Sequence, residues 1–152
     1  MIKLFAIFFF CMVNSKAISQ TSNPKYDKAL ADSLGADDYG MKMYVLVILK
    51  TGSNKTESKE KTDSLFRGHM KNINHLAGIG NLVVAGPLQK NEKEYRGIFI
   101  LDVKTIEEAK LLLDADPAIK AQVLDTELFH WYGSAALPAY LKFHDKVEKS
   151  KF

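Results

Sequence analysis

His69 is the residue whose position most favours chemistry. It lies in a segment, residues 61–79, whose apolar residues recur at the spacing of one helix face. On that helix His69 falls between Ile73 and Leu76, in the middle of the apolar face, whereas His75 falls on the polar side. A buried imidazole needs a hydrogen-bond partner or stays neutral at a cost, and it is the side chain that most readily moves protons near neutral pH. The position predicts a general acid–base group or, alternatively, a hydrogen-bonded histidine of the core.

Asp116 is the second candidate. It stands directly before Pro117 in the stretch Asp114-Ala115-Asp116-Pro117. An Asp-Pro pair commonly marks a helix exit or a turn, so a purely structural role is equally open at this point.

No motif indicates a metal or a cofactor. His69 and His75 do not share a helix face, and His130 and His144 lack histidine or carboxylate neighbours at ligand spacing. The sequence also contains no H-E-x-x-H motif, nucleophile elbow, phosphate-binding loop or dinucleotide fingerprint. We therefore expect a protein without a cofactor and without a metal site.

The first 19 residues predict an export signal. Lys3 is followed by a ten-residue apolar run, 4–13, which is too short to span a bilayer as a helix. Ala17-Ile18-Ser19 fits a cleavage site, and Cys11 then belongs to the apolar run and is lost on cleavage. The alternative is an uncleaved membrane anchor. With cleavage, the sequence predicts an exported protein, periplasmic or secreted, with no membrane association afterwards.

The composition excludes several classes of protein. The chain has 152 residues, of which 47% are hydrophobic and 26% charged, and these values are typical of one globular domain. Its single cysteine rules out an internal disulfide and, after cleavage, a thiol nucleophile. Loss of Lys3 and Lys16 would leave 19 basic against 18 acidic residues, so no nucleic-acid partner is expected.

The order of predicted elements indicates an α+β fold. A polar arm over residues 20–41, with one short helix, precedes a domain over residues 42–131, and a tail over residues 132–152 follows. Within the domain the pattern predicts strand, helix, strand, strand, helix, strand, which gives a ferredoxin-like plait (βαββαβ) with both helices on one face of an antiparallel sheet. Thr105 and Glu108 form a capping box that predicts the start of the second helix.

Both faces of the predicted sheet are apolar. Tyr44, Leu46 and Ile48 alternate with Val45, Val47 and Leu49 along the first strand, and the third strand repeats this pattern. Because two helices cover only one face, the other needs a cover. A second copy of the chain is the favoured cover, so a homodimer is expected, and the alternative is the C-terminal tail, residues 132–152, folded back over the sheet.

The stretch from His69 to Leu88 (HMKNINHLAGIGNLVVAGPL) resembles the YCII-related (YciI-like) family. The resemblance rests on a helix histidine, Gly80 eleven residues later, the pair Gly86-Pro87 and, further on, Asp116-Pro117. It covers roughly residues 42–131. The ends of this region, over residues 26–52 and 131–134, look like those of a secreted bacterial subgroup.

The resemblance implies a ferredoxin-like dimeric α/β barrel in which a helix histidine meets the aspartate of the Asp-Pro pair. Carried over, His69 and Asp116 form an acid–base dyad, and Gly86-Pro87 is a substrate-binding turn. Such a dyad can transfer protons because a carboxylate at one imidazole nitrogen fixes the tautomer and leaves the other nitrogen to accept or donate a proton. Met70 departs from the leucine that is usual at that position, and the exported N-terminus makes a cytoplasmic role doubtful.

Two functions follow as hypotheses. The first is a small cofactor-free enzyme, a lyase, isomerase or hydrolase acting on a small molecule through His69 and Asp116. The alternative is a non-catalytic dimeric module that binds a small ligand, in which the pair only satisfies a buried polar site. A solvent-connected pocket with a free imidazole nitrogen favours the enzyme, and a sealed pair favours the binding module.

Overall fold

A four-stranded antiparallel sheet organises the molecule. The computed structural model describes residues 23–55 and 58–150, and the predicted signal peptide lies outside these residues. The strands are β1 (Met41–Thr51), β2 (Leu82–Pro87), β3 (Tyr95–Leu101) and β4 (Leu124–Ser134). Their spatial order is β2-β3-β1-β4, with β1 paired to both β3 and β4. This is the order of the ferredoxin-like plait, so the predicted fold class is confirmed.

In the described part of the chain, five helices connect and flank the strands, and most of them begin at a capping side chain. The helices are α1 (Lys28–Leu34), α2 (Lys59–Gly78), α3 (Ile106–Leu113), α4 (Pro117–Lys120) and α5 (Leu141–Val147), with a 3₁₀ turn at Leu137–Tyr140 before α5. The capping box at the start of α3 is confirmed, with the Thr105 hydroxyl accepting from the backbone N–H of Glu108 at 3.1 Å. The four-residue helix α4 was not predicted, and it begins at the Asp-Pro pair that the sequence analysis interprets as an exit or turn.

One face of the sheet is closed by α2 and α3. The residues of its core are fully or almost fully buried, and come from the sheet and both helices: Val45, Val47, Leu49, Leu76, Leu82, Phe99, Leu101, Ala109 and Leu113. Each of the valine, leucine and phenylalanine side chains among them stabilises the fold by about 1.5–3 kcal/mol relative to an exposed position. This helix face therefore carries the main core, and it is also the side on which His69 lies.

The opposite face of the sheet, here called the outer face, is covered at one end by the C-terminal tail. Leu137 packs against a second buried cluster formed by Tyr44, Val83 and Ile100. The hydroxyl of Tyr140 donates to the backbone carbonyl of Val83, which ties the tail to the sheet. The C-terminal tail, which was the alternative to a second copy of the chain, thus covers this part of the outer face.

The described residues leave the rest of the outer face open. Phe129 lies directly opposite Leu46 in the β1–β4 pairing and is 50% exposed. Leu46 and Ile48 are only half-buried. Next to them Lys50 Nζ and Glu127 Oε1 form an ion pair at 2.8 Å. An apolar patch with a charged rim therefore remains at the end of the sheet that the tail does not reach.

The N-terminal arm is held to the domain by Asp37. Its carboxylate accepts from the backbone N–H of Met41 at 3.0 Å and from the hydroxyl of Tyr132. The helix α1 in this arm has no buried residue. Within the described residues, no helix is long and apolar enough to cross a bilayer.

Candidate active site

His69 lies on α2 with its imidazole between two aromatic rings. The ring of Phe99, from β3, stacks on it at 5.8 Å between centroids and 22° between planes, and Phe66, one turn earlier on α2, meets it edge-on at 6.0 Å. The residue is 7% exposed. The helix periodicity that predicts His69 on an apolar face therefore places it correctly, against the sheet.

Asp116 is fully buried at the start of α4. Its Oδ1 accepts from the backbone N–H of Ala118 at 2.9 Å and of Ile119 at 3.3 Å, so the residue caps this helix. Pro117 follows as the first helical residue, where a missing N–H costs nothing. Asp116 therefore has both a structural role and a place in the candidate site, because one carboxylate oxygen caps α4 and the other contacts His69.

The two predicted residues meet across 47 positions of sequence. Asp116 Oδ2 lies 2.7 Å from His69 Nδ1, which is the length of a charge-assisted hydrogen bond. Asn72, one turn after His69 on α2, donates to the same oxygen at 3.4 Å. Sequence reasoning missed Asn72, although its position three residues from His69 on the same helix was an available signal.

A glycine allows α2 and α4 to come this close. A Cβ built on Gly68 would lie 2.7 Å from Cγ of Pro117, which is closer than real Cβ atoms approach other atoms. Any larger residue at position 68 would push Pro117 away and move the neighbouring Asp116 with it. Gly68 thus sets the distance between the two halves of the dyad.

The second nitrogen of His69 is available for chemistry. Nε2 makes no hydrogen bond with the described residues. Among those residues, every fully buried side-chain nitrogen or oxygen has a partner, so Nε2 must be in contact with solvent. The arrangement is an imidazole that is oriented through Nδ1 and whose Nε2 is not fully buried. Such a group can accept or donate one proton at Nε2 while its orientation is fixed.

Asp116 stays ionised in this site. Burial by itself raises the pKa of its carboxyl, but the hydrogen bond and the charge attraction from His69, together with the two backbone N–H groups, more than offset it. The net effect holds the pKa of Asp116 below its usual value of 3.8. A carboxylate at Nδ1 fixes the tautomer with the proton on Nδ1 and stabilises the imidazolium that forms when Nε2 takes up a proton.

The Gly86-Pro87 pair is not in a turn, and this corrects the sequence analysis. Both residues continue β2, with Gly86 opposite Ile98 and Pro87 opposite Gly97 in β3. Proline, which lacks a backbone N–H, is tolerated here because β2 is the edge strand and the nitrogen of Pro87 points away from β3. A role of Gly86 and Pro87 in substrate binding stays a prediction.

The described residues contain no cluster of three or more histidine, cysteine, aspartate or glutamate side chains that could hold a metal ion. His69 and Asp116 form a pair with an amide, Asn72, as their third polar neighbour.

Comparison with known proteins identifies one domain family. Residues 43–132, more than half of the chain, match the YCII-related domain. No curated protein matches the chain. A solved structure with limited similarity is 5-chloro-2-hydroxyhydroquinone dehydrochlorinase (TftG) from Burkholderia phenoliruptrix AC1100 in complex with 2,5-dihydroxybenzoquinone, at 18% identity and a TM-score of 0.42, over 57% of this chain and 92% of that one. On the strength of the domain match, the chain belongs to the YCII-related domain family.

Proposed function

We propose that the protein is a small-molecule enzyme in which His69 is the general acid–base residue and Asp116 orients it. The observation that carries the proposal is the state of the two imidazole nitrogens. Nδ1 is hydrogen-bonded to a buried carboxylate at 2.7 Å, whereas Nε2 has no partner among the described residues and is not fully buried. A histidine with a purely structural role has no need for an open nitrogen aligned in this way.

The chemistry available to such a pair is proton transfer. Nε2 takes a proton from a substrate C–H or O–H or from an attacking water, the imidazolium is stabilised by Asp116, and the proton then returns to the product or the leaving group. Elimination, isomerisation and hydrolysis of a small molecule all fit this sequence of events. The residues of the chain supply the base, its orienter and the aromatic walls formed by Phe66 and Phe99.

The proposal includes a second copy of the chain. The open part of the outer face, around Leu46 and Phe129, presents apolar side chains that a symmetric partner would cover. It also includes export, based on the residues 1–19 that resemble a signal peptide, and membership of a secreted bacterial subgroup, based on the two ends of the domain.

The test is turnover of a panel of small molecules by three versions of the full protein. The panel contains lactones and esters for hydrolysis, β-halo carbonyl compounds for elimination and β,γ-unsaturated ketones for isomerisation. The variant His69→Gln keeps a polar side chain but cannot titrate, and His75→Gln changes an exposed histidine of the same helix. We expect His69→Gln to lose at least about 10²-fold in kcat/KM, as removal of an acid–base group typically does, and His75→Gln to match the wild type.

The alternative is the non-catalytic binding module, in which the pair only satisfies a buried polar site. Its supporting observation is that Asp116 caps α4 as well as contacting His69. The binding module predicts that His69→Gln lowers the free energy of unfolding by about 1–3 kcal/mol and leaves any measured turnover unchanged. Full activity of His69→Gln on a substrate of the wild type would therefore overturn the enzyme proposal.

A further inference from the structure

A cleft of about 270 Å³ lies beside the dyad, on the far side of Phe66. Its walls are the end of β1, the first turns of α2, and the starts of β3 and β4. Phe66 belongs to both places, because it lines the cleft and its ring contacts the imidazole of His69 edge-on. A molecule in this cleft would thus lie beside a residue that contacts His69.

The polar side chains of the cleft favour an anion. Arg96 and Lys55 line it, and neither makes an ion pair with another described residue. Thr51 and Thr62 also line the cleft, and none of its lining residues in the described part of the chain is acidic. The described residues therefore place no carboxylate in the cleft to neutralise these cations.

The two lysines of β1, in contrast to the cations of the cleft, both form ion pairs. Lys42 pairs with Asp102 at 2.8 Å, and Lys50 pairs with Glu127 at the same distance. Arg96 lies on the neighbouring strand β3 and has no such partner among the residues that the structure describes. An arginine left unpaired in a concave site, with its planar set of donors, is suited to two parallel hydrogen bonds with a carboxylate.

We propose that this cleft binds the carboxylate of a small, apolar-bodied acid, with Arg96 as the main anion-binding residue and Lys55 assisting. The inference goes beyond the proposed function, since the cleft is lined by Phe66 but by neither His69 nor Asp116. The apolar part of the cleft, formed by Phe66, Val123 and Leu124, would hold the body of the molecule. Its volume lies near the lower end of the range of small-molecule sites, so it fits a body of about one ring.

The test measures binding without requiring turnover. Benzoate serves as the probe and benzamide, of the same shape but neutral, as its control, and both are titrated into the full protein while amide signals are followed by NMR. We expect benzoate to bind at millimolar or tighter affinity and benzamide to bind at least about tenfold more weakly, because hydrogen bonds to a charged group are the stronger ones.

Three variants separate this inference from the catalytic one. Arg96→Gln should weaken benzoate binding about tenfold or more, whereas Arg67→Gln, which removes the charge of an exposed arginine next to Phe66, should leave it unchanged. His69→Gln should also bind benzoate like the wild type, because it keeps the cleft. Equal binding of benzoate and benzamide, no binding of benzoate, or unchanged binding in Arg96→Gln would each overturn the anion site. Loss of turnover in His69→Gln concerns the dyad alone.

Discussion

The two faces of the sheet are formed by the same strands, but they differ in how completely the rest of the chain covers them. On the helix face, the chain closes its own core and includes one polar pair, His69 and Asp116, whose buried atoms are satisfied. On the outer face, the described part of the tail covers the region around Tyr44, and Phe129 remains 50% exposed. The closed face thus contains the buried polar pair, and the uncovered patch of the outer face is apolar with a charged rim. The difference underlies two proposals, a catalytic site on the first face and an interface with a second copy of the chain on the second.

The outer face gives the prediction with the largest effect. Phe129→Glu places a charge in the centre of the open patch, where a second copy would have to bury it without a partner. We expect the dissociation constant of the dimer to rise at least about 100-fold, which is about 3 kcal/mol. The free energy of unfolding of the monomer should change by no more than about 0.5 kcal/mol, because Phe129 is half-exposed on an edge strand.

Light scattering at micromolar concentration measures this effect. Leu111→Glu is the control, since Leu111 is 73% exposed on α3 and lies on neither face of the sheet. The control should remain at the mass of the wild type. A monomeric wild-type protein at this concentration would refute the dimer, and would leave the tail as the only cover of the outer face.

The helix face is tested by Gly68→Ala. The new Cβ would meet Pro117 at 2.7 Å and displace the start of α4, while alanine gains about 1 kcal/mol of helix propensity over glycine. Stability should therefore change little, whereas turnover should fall about tenfold or more, because small misplacements of catalytic groups are costly. Enzyme kinetics measure the loss of turnover, and chemical unfolding of the same variant measures the change in stability. Gly78→Ala, at the end of the same helix and with open space at its Cβ, should keep full activity.

The smallest expected effect is on acid stability. The pKa of Asp116 is held below its usual value of 3.8 in the folded protein, chiefly by His69 against the opposing effect of burial. A depressed pKa contributes stability that is fully present above the unfolded-state value and is lost as the pH falls through the folded one. Urea unfolding at a series of pH values below about 5 should therefore show a shallower loss of stability in Asp116→Asn than in the wild type. Parallel curves would show that the carboxylate is not stabilised by the fold.

Much of the fold could be predicted from local sequence patterns. The alternating residues of β1 indicate two apolar sheet faces, and the Thr105–Glu108 capping box marks the start of α3. The strand ends were less accurate, because β1 and β4 extend to Met41 and Ser134 through pairing with each other rather than through local preference. The helix α4 was missed, since four residues are too few to show a helical period.

The features of the site also differ in how far they could be predicted from local sequence patterns. The burial of His69 could be predicted because it depends on the face of one helix. Its contact with Asp116, 47 residues away, could not be derived from spacing, and the resemblance to a family supplied it. Phe99 and Asn72 were missed as neighbours of the dyad, because which side chains meet across a helix and a sheet depends on the packing of the whole domain.

The central claim is that His69 and Asp116 act as one catalytic unit, and a double-mutant cycle tests it most directly. The values of kcat/KM are measured for His69→Gln, Asp116→Asn and the double variant on a substrate that the wild type turns over. Asp116→Asn should show a large loss, since an asparagine amide that donates to Nδ1 would select the wrong tautomer, which costs about 10⁴-fold in the serine-protease case. The account predicts that the double variant is no slower than His69→Gln alone, because members of one unit are not additive. Losses that multiply, or no loss in His69→Gln, would contradict it.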